Sequence, residues 1–325
     1  MYDFFYGKTI AIVGASGFIG SKLVERLNQF NCTILRVSRN ISNLTSIIDT
    51  EATIKDIAFP NEQMRWSTEV LKADIIYYFS AQTSVYTAKD DIITDYSTSV
   101  LPILSLLEQC KNAQINPIIV FSSAATVFGL TINLPVNEDT PTNPLTIYDI
   151  HKLLIENYLS FYSVEYGIRT VSLRLCNVYG AGVKSSAQDR GILNKMAIKA
   201  LAGEPLSLYG DGSFIRDYIY IDDAIEAFLL SSKHINKTKS NRYILGSGEG
   251  HTLKEVFTIV VNSVKSFTNV NVSIKNLSFP KELSIIEKRN FVADSNRFIN
   301  DTEWSAKVDL NQGIMKMLHF FNEKV

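Results

Sequence analysis

The chain has 325 residues, 46% hydrophobic and 20% charged, which is enough apolar material for a large core and excludes wholesale disorder. Its 32 Lys and Arg nearly balance 33 Asp and Glu, giving a net charge of −1. No overall field draws in a nucleic-acid polymer or an anionic membrane, although a local basic pocket for a phosphorylated ligand stays open.

Residues 9–13 (TIAIV) form a short β-branched apolar run, read as a buried strand. Residues 18–30 place Phe18, Ile19, Leu23, Leu27 and Phe30 at helical spacing. Further strands are expected at 33–37, 75–79, 117–122 and 170–175, with a short third strand ending before Asp56-Ile57. Helices are expected at 62–71, 95–112 and 148–166. This alternation implies an α/β fold around a doubly wound parallel sheet with right-handed crossovers, and ligands then bind beyond the carboxyl ends of the strands. From about Cys176 the pattern loosens, and Gly/Ser-rich loops at 180–191, 209–213 and 246–250 are expected to separate shorter elements. The division expected is a binding domain over 1–176 and a smaller substrate lobe over 177–325, with segments near 214–246 crossing back. The three cysteines, Cys32, Cys110 and Cys176, and four histidines show no ligand spacing, so no metal site is expected and the thiols read as reduced. Met1 to Lys8 lacks the pattern of a signal peptide, and no run of about 18 apolar residues exists, so a cytoplasmic protein that does not span a membrane is expected.

After the first strand the chain reads Gly14-Ala-Ser16-Gly17-Phe18-Ile19-Gly20. Glycines here permit a tight turn and close approach of backbone to a pyrophosphate, and the following helix N-terminus offers free N–H groups. The second strand ends Arg36-Val-Ser38-Arg39 with no acid to bind ribose hydroxyls. Ser38 and Arg39 could hold the 2′-phosphate of NADP, or Arg39 could be a solvated surface residue; NAD or NADP is expected, with the balance toward NADP. Asp56 and Ile57 are expected to contact the adenine.

Tyr148 and Lys152 lie four apart at the start of a helix and so share one face. A lysine ammonium beside a phenol lowers the phenol's pKa and makes it a usable acid/base near neutrality. Of the 15 tyrosines only Tyr148 has this spacing.

The Gly14xxGly17xxGly20 turn, the 122–129 segment SSAATVFG and Tyr148xxxLys152 together resemble the NAD(P)-dependent epimerase/dehydratase family, the extended short-chain dehydrogenases/reductases, of which UDP-glucose 4-epimerase is a type. The likeness continues through Tyr78-Phe-Ser80-Ala81-Gln82, 173–180 (LRLCNVYG), 209–218 (YGDGSFIRDY) and 221–223. It implies a Rossmann-type sheet with a C-terminal substrate lobe. It implies catalysis by Tyr148 and Lys152, cofactor contact by Ser80, Ala81 and Gln82, and a nucleotide-diphosphate sugar held by Asn177 and Arg216. It also implies a homodimer packed through the helices at 95–112 and 148–166.

The departures matter as much. The family's catalytic Ser or Thr falls on Ala124, leaving Ser123 or Thr126 to supply a hydroxyl, or Tyr148 to act alone. The acid pair of the dehydratases falls on Ala125 and Thr126, which argues against elimination of water. Glu287 falls where an acid contacts the nucleotide, Ser284 where an arginine is usual (Lys281 or Arg289 could compensate), and Phe291 where a bulky ring would favour plain hexoses. The first reading is a 4-epimerase of the UDP-glucose/UDP-galactose type: Tyr148 takes the 4-hydroxyl proton while hydride passes from C4 to the nicotinamide, then returns to the opposite face. The second is an NADPH-dependent 4-ketoreductase of deoxysugar synthesis, favoured by Ser38-Arg39. The third, a non-catalytic NAD(P)-binding sensor, fits Ala124 but not the retention of Tyr148, Lys152, Asn177 and Arg216.

Overall fold

The computed structural model describes residues 2–47, 50–60, 63–80, 84–182, 191–237 and 242–323. Strand β1 (Thr9–Val13) leads into α1 (Phe18–Leu27), β2 (Thr33–Ser38), β3 (Thr53–Ala58), the single turn α2 (Thr68–Leu71) and β4 (Ile75–Tyr78). Then come α3 (Val85–Asp90), α4 (Ile92–Asn112), β5 (Ile118–Ala124), α5 (Ile147–Tyr166) and β6 (Arg169–Leu175). The remainder is β7 (Asn177–Tyr179), α6 (Ile192–Leu201), β8 (Leu206–Tyr209), β9 (Ile215–Tyr220), α7 (Ile221–Lys233), β10 (Arg242–Leu245), β11 (Gly250–Thr252), α8 (Leu253–Thr268), β12 (Ile274–Leu277), α9 (Asn296–Thr302) and α10 (Leu310–Asn322).

Seven strands form one sheet in the order β10-β6-β5-β4-β1-β2-β3, with every pairing parallel. The doubly wound Rossmann-type sheet expected from the alternation is therefore present. Both faces are covered. Ile10 and Ile12 of β1 pack with Leu23, Val24 and Leu27 of α1 and with Phe228 of α7. Ala11 and Val13 face the other way, toward Val100, Ile103 and Leu107 of α4 and Ile155 and Leu159 of α5. The period-2 alternation of a strand, apolar on both sides, thus joins two layers of helices. Strand order reverses between β1 and β4, which opens a crevice at their carboxyl ends.

Smaller sheets, β11-β9-β7 and β12-β8, lie in the C-terminal half. Strand β10 returns to the main sheet beside β6. The helix expected at 62–71 is only the turn Thr68–Leu71: Ser67 Oγ accepts from Val70 N at 3.3 Å and caps it there, while Met64 sits at φ 51°. Nor are the later elements uniformly short. Helix α8 has 16 residues, begun by a capping box between Thr252 and Glu255 that the looser apolar pattern did not reveal.

Candidate active site

The glycine turn closes against the sheet. Gly14 has φ +88°, and a Cβ there would lie 3.0 Å from Ser80 N. At Gly20 a Cβ would lie 2.3 Å from Gly14 O, so only glycine lets α1 seat against the turn. Gly17 caps α1 without any side-chain hydrogen bond. The turn therefore fits a dinucleotide pyrophosphate on geometric grounds. Gly14, Ser16, Gly17, Phe18, Ile19 and Gly20 all line one cleft of about 1070 Å³. That volume is at the top of the roughly 300–1,000 Å³ typical of a single small-molecule pocket.

Ser38 and Arg39 line the same cleft beyond the end of β2. Ser38 Oγ lies 3.0 Å from Ser16 Oγ and donates to Asn40 O at 3.1 Å, while Arg39 is exposed at the rim. Ser80 lines the cleft as well; Ala81 and Gln82 lie outside the described residues. The expectation for Asp56 and Ile57 needs correction. Both lie inside β3 rather than after it, and neither lines the cleft. The Asp56 carboxylate is taken by a two-bond pairing with Arg36, Nε–Oδ1 2.7 Å and Nη2–Oδ2 2.8 Å.

Helix α5 sets the reactive pair. Its N-cap Thr146 accepts from Asp149 N at 3.2 Å, which fixes Tyr148 in the first turn and Lys152 one turn later. Tyr148 is half-buried in the cleft wall. Lys152 Nζ lies 5.7 Å from the centre of the Tyr148 ring and donates to Ser122 O at 2.6 Å. Burial pushes the Lys152 ammonium down to about 8, against the opposing pull of Glu156 and Asp95.

The two candidate hydroxyls part company. Ser123 donates its Oγ proton to Glu156 Oε1 at 2.5 Å, and that carboxylate is also held by Arg174 Nη2 at 2.6 Å. Ser123 thus locks β5 to α5. Thr126 lines the cleft, and its Oγ1 has no hydrogen-bond partner. Glu156 and Arg174 were not singled out from the sequence, although Glu156 follows Lys152 by four residues and repeats the spacing that links Tyr148 to Lys152.

At the far end, Asn177, Arg216, Glu287, Arg289 and Phe291 line the cleft together. Arg289 Nη2 donates to Asn177 Oδ1 at 3.3 Å, and Arg216 donates to the carbonyls of Arg289 and, at 2.7 Å, Glu287. Burial, with Arg289 adding its like charge, pushes the Arg216 guanidinium down to about 10. Of the two cations considered in place of the arginine absent at Ser284, Arg289 faces the cleft and Lys281 does not. Phe291 is buried with its ring 6.0 Å from that of Phe128.

A glycine turn at the switch point, a Tyr/Lys pair on the next cleft wall and a cationic far corner belong together in one known plan, and residues 10–246 match the NAD dependent epimerase/dehydratase family. The chain belongs to this family. It is an NAD(P)-dependent enzyme of the sugar-nucleotide epimerase or reductase kind. It is 27% identical to the UDP-glucose 4-epimerase of Mycolicibacterium smegmatis over 96% of this chain and 98% of that one. The UDP-glucose 4-epimerase of Thermotoga maritima, solved with UDP-glucose, superposes with a TM-score of 0.82 at 25% identity, covering 97% of this chain and 99% of that one. The UDP-glucose 4-epimerase of Thermus thermophilus, solved in complex with NAD, gives 0.80 at 25% identity over 98% and 100%. Among the described residues no helix is long and apolar enough to cross a membrane, and no group of three His, Cys, Asp or Glu could hold a metal ion.

Proposed function

We propose that this family member is a nucleotide-sugar 4-epimerase of the UDP-glucose/UDP-galactose type. The observation that carries the reading is the shared cleft: Tyr148 and Lys152 lie between the Gly14–Gly20 turn and the Asn177–Arg216–Arg289 corner. Gly14, Ser16, Gly17, Phe18, Ile19, Gly20, Ser38, Arg39, Ser80, Tyr148 and Lys152 would hold the dinucleotide. When bound, its nicotinamide ring supplies a reversible hydride acceptor. Tyr148 takes the proton from the sugar 4-hydroxyl and later gives it back. Lys152 stabilises the phenolate, because an ammonium one helical turn away favours the charged form. Arg216 and Arg289 neutralise the diphosphate, with Arg216 suited to two parallel N–H···O bonds. Phe291 shapes the sugar pocket and Glu287 contacts the nucleotide. On this reading residues 177–325 act mainly as the substrate lobe.

Two copies of the chain would pack through α4 and α5. Ile93 (78% exposed), Phe161 (53%) and Val164 (84%) leave apolar surface on these helices.

One observation favours the second reading, an NADPH-dependent 4-ketoreductase: Ser38 and Arg39 stand at the end of β2 with no acid between them. A single experiment separates the two. The purified protein, with no cofactor added, is incubated with UDP-galactose; formation of UDP-glucose is expected. Turnover only of a 4-keto sugar nucleotide, matched mole for mole by NADPH consumed, would end the epimerase reading.

The Lys152 ammonium also predicts a pH dependence. Its charge is present below about 8 and is lost as pH rises through that value, so turnover should fall on the alkaline side. Lys152→Arg, whose cation persists at high pH, should move that limb upward; a limb that stays in place would show that another group titrates.

A further inference from the structure

Thr126 and Asp149 face each other behind the Tyr148 wall. Thr126 stands in the 3₁₀ turn Ala125–Phe128 that follows β5, two residues past Ala124. Asp149 directly follows Tyr148 and is 0% exposed. Its Oδ2 accepts from Thr146 Oγ1 at 2.7 Å. Its Oδ1 has no hydrogen-bond partner, and neither does Thr126 Oγ1, although the hydroxyl lies within electrostatic reach of the carboxyl. An unsatisfied buried polar atom costs about 1–3 kcal/mol. Two such atoms facing one another, one of them in the cleft wall, point to a hydrogen-bond chain that a ligand completes.

We propose that Thr126 supplies the hydroxyl missing at Ala124, and that Asp149 is the positioning residue that fixes its polarity. With the Asp149 carboxylate accepting the Thr126 proton, Thr126 Oγ1 turns a lone pair toward the sugar 4-hydroxyl. Tyr148 remains the base, and Thr126 gains no proton over the cycle. The inference rests on the epimerase reading and adds to it what orients the reacting hydroxyl.

The chain's polarity depends on the charge of Asp149. Burial raises the proton affinity of this carboxyl, against the lowering effects of Thr126, Thr146 and the Arg289 guanidinium. Above its pKa Asp149 accepts from Thr126. Once protonated it donates instead, and Thr126 can no longer accept from the sugar. Turnover should therefore fall as pH drops through a pKa above the usual aspartate range.

The test is the pH profile of kcat and KM for UDP-galactose with wild type, Asp149→Asn, Thr126→Val, Thr126→Ser and the double variant Asp149→Asn/Thr126→Val. Circular dichroism checks each fold. Thr126→Val is expected to lower kcat roughly ten- to a hundredfold with KM nearly unchanged, the kinetic counterpart of one lost hydrogen bond. Thr126→Ser should restore most of it. Asp149→Asn should lower kcat and abolish the acid limb, and the double variant should be no worse than Thr126→Val, because the two residues act as one unit. A Thr126→Val enzyme within about twofold of wild type, an acid limb that survives Asp149→Asn, or effects that multiply would overturn the inference while leaving the epimerase reading standing. Wild-type enzyme that leaves UDP-galactose unchanged would instead remove both.

Discussion

Replacing Tyr148 by Phe is expected to lower turnover of UDP-galactose by about 10²–10⁴-fold, the range by which a positioned acid/base accelerates proton transfer. The ring is half-buried and would keep its place in the cleft wall, so the far-ultraviolet spectrum and the unfolding midpoint should match wild type. Only the oxygen that trades protons with the sugar is removed. Binding of UDP should also persist, because the Asn177, Arg216 and Arg289 corner is built from β7, β9 and the chain after β12 rather than from α5. A Tyr148→Phe enzyme with near-normal kcat would remove the proposed mechanism, whatever its effect on KM.

Glu156→Ala is expected to be among the most damaging substitutions for stability. Glu156 is 1% exposed and Arg174 2%. The carboxylate accepts from Arg174 Nε and Nη2 and from Ser123 Oγ. Breaking such a buried pair by removing one partner typically costs about 3–5 kcal/mol, because the other charge is left without compensation. Urea unfolding at fixed cofactor concentration should show that loss, since a bound dinucleotide shifts apparent stability by mass action. Glu156→Gln, which keeps an acceptor for the serine hydroxyl, should cost less. A loss under about 1 kcal/mol for Glu156→Ala would mean that the charges are better solvated than their burial indicates. The two replacements also act on the reactive end: Glu156 raises the proton affinity of Lys152, so removing it should bring the alkaline limb of turnover to lower pH.

Sequence and structure divide the explanation unevenly. The glycine spacing from Gly14 to Gly20, the apolar runs of β1, β4 and β5, and the four-residue step from Tyr148 to Lys152 are local features. Each is governed by backbone sterics or by one helical turn, so the parallel sheet, the phosphate turn and the reactive pair were legible from the residues alone. The sequence likewise excluded an acid at the end of β2 and a hydroxyl at Ala124. What it left open was which side chain meets which across the fold. Asp56 looked available for a nucleotide until Arg36, on the neighbouring strand, was seen to occupy it. Ser123 and Thr126 ranked equally until pairing of β5 against β6, and packing of α5 over both, turned Ser123 into Glu156 and left Thr126 facing Asp149. Arg289, rather than Lys281, reached the cleft because Asn177 and the Ile286 carbonyl hold its guanidinium there. These outcomes depend on partners dozens of positions away, chosen by burial and by the need to satisfy every buried charge, so they emerge only when the chain is folded.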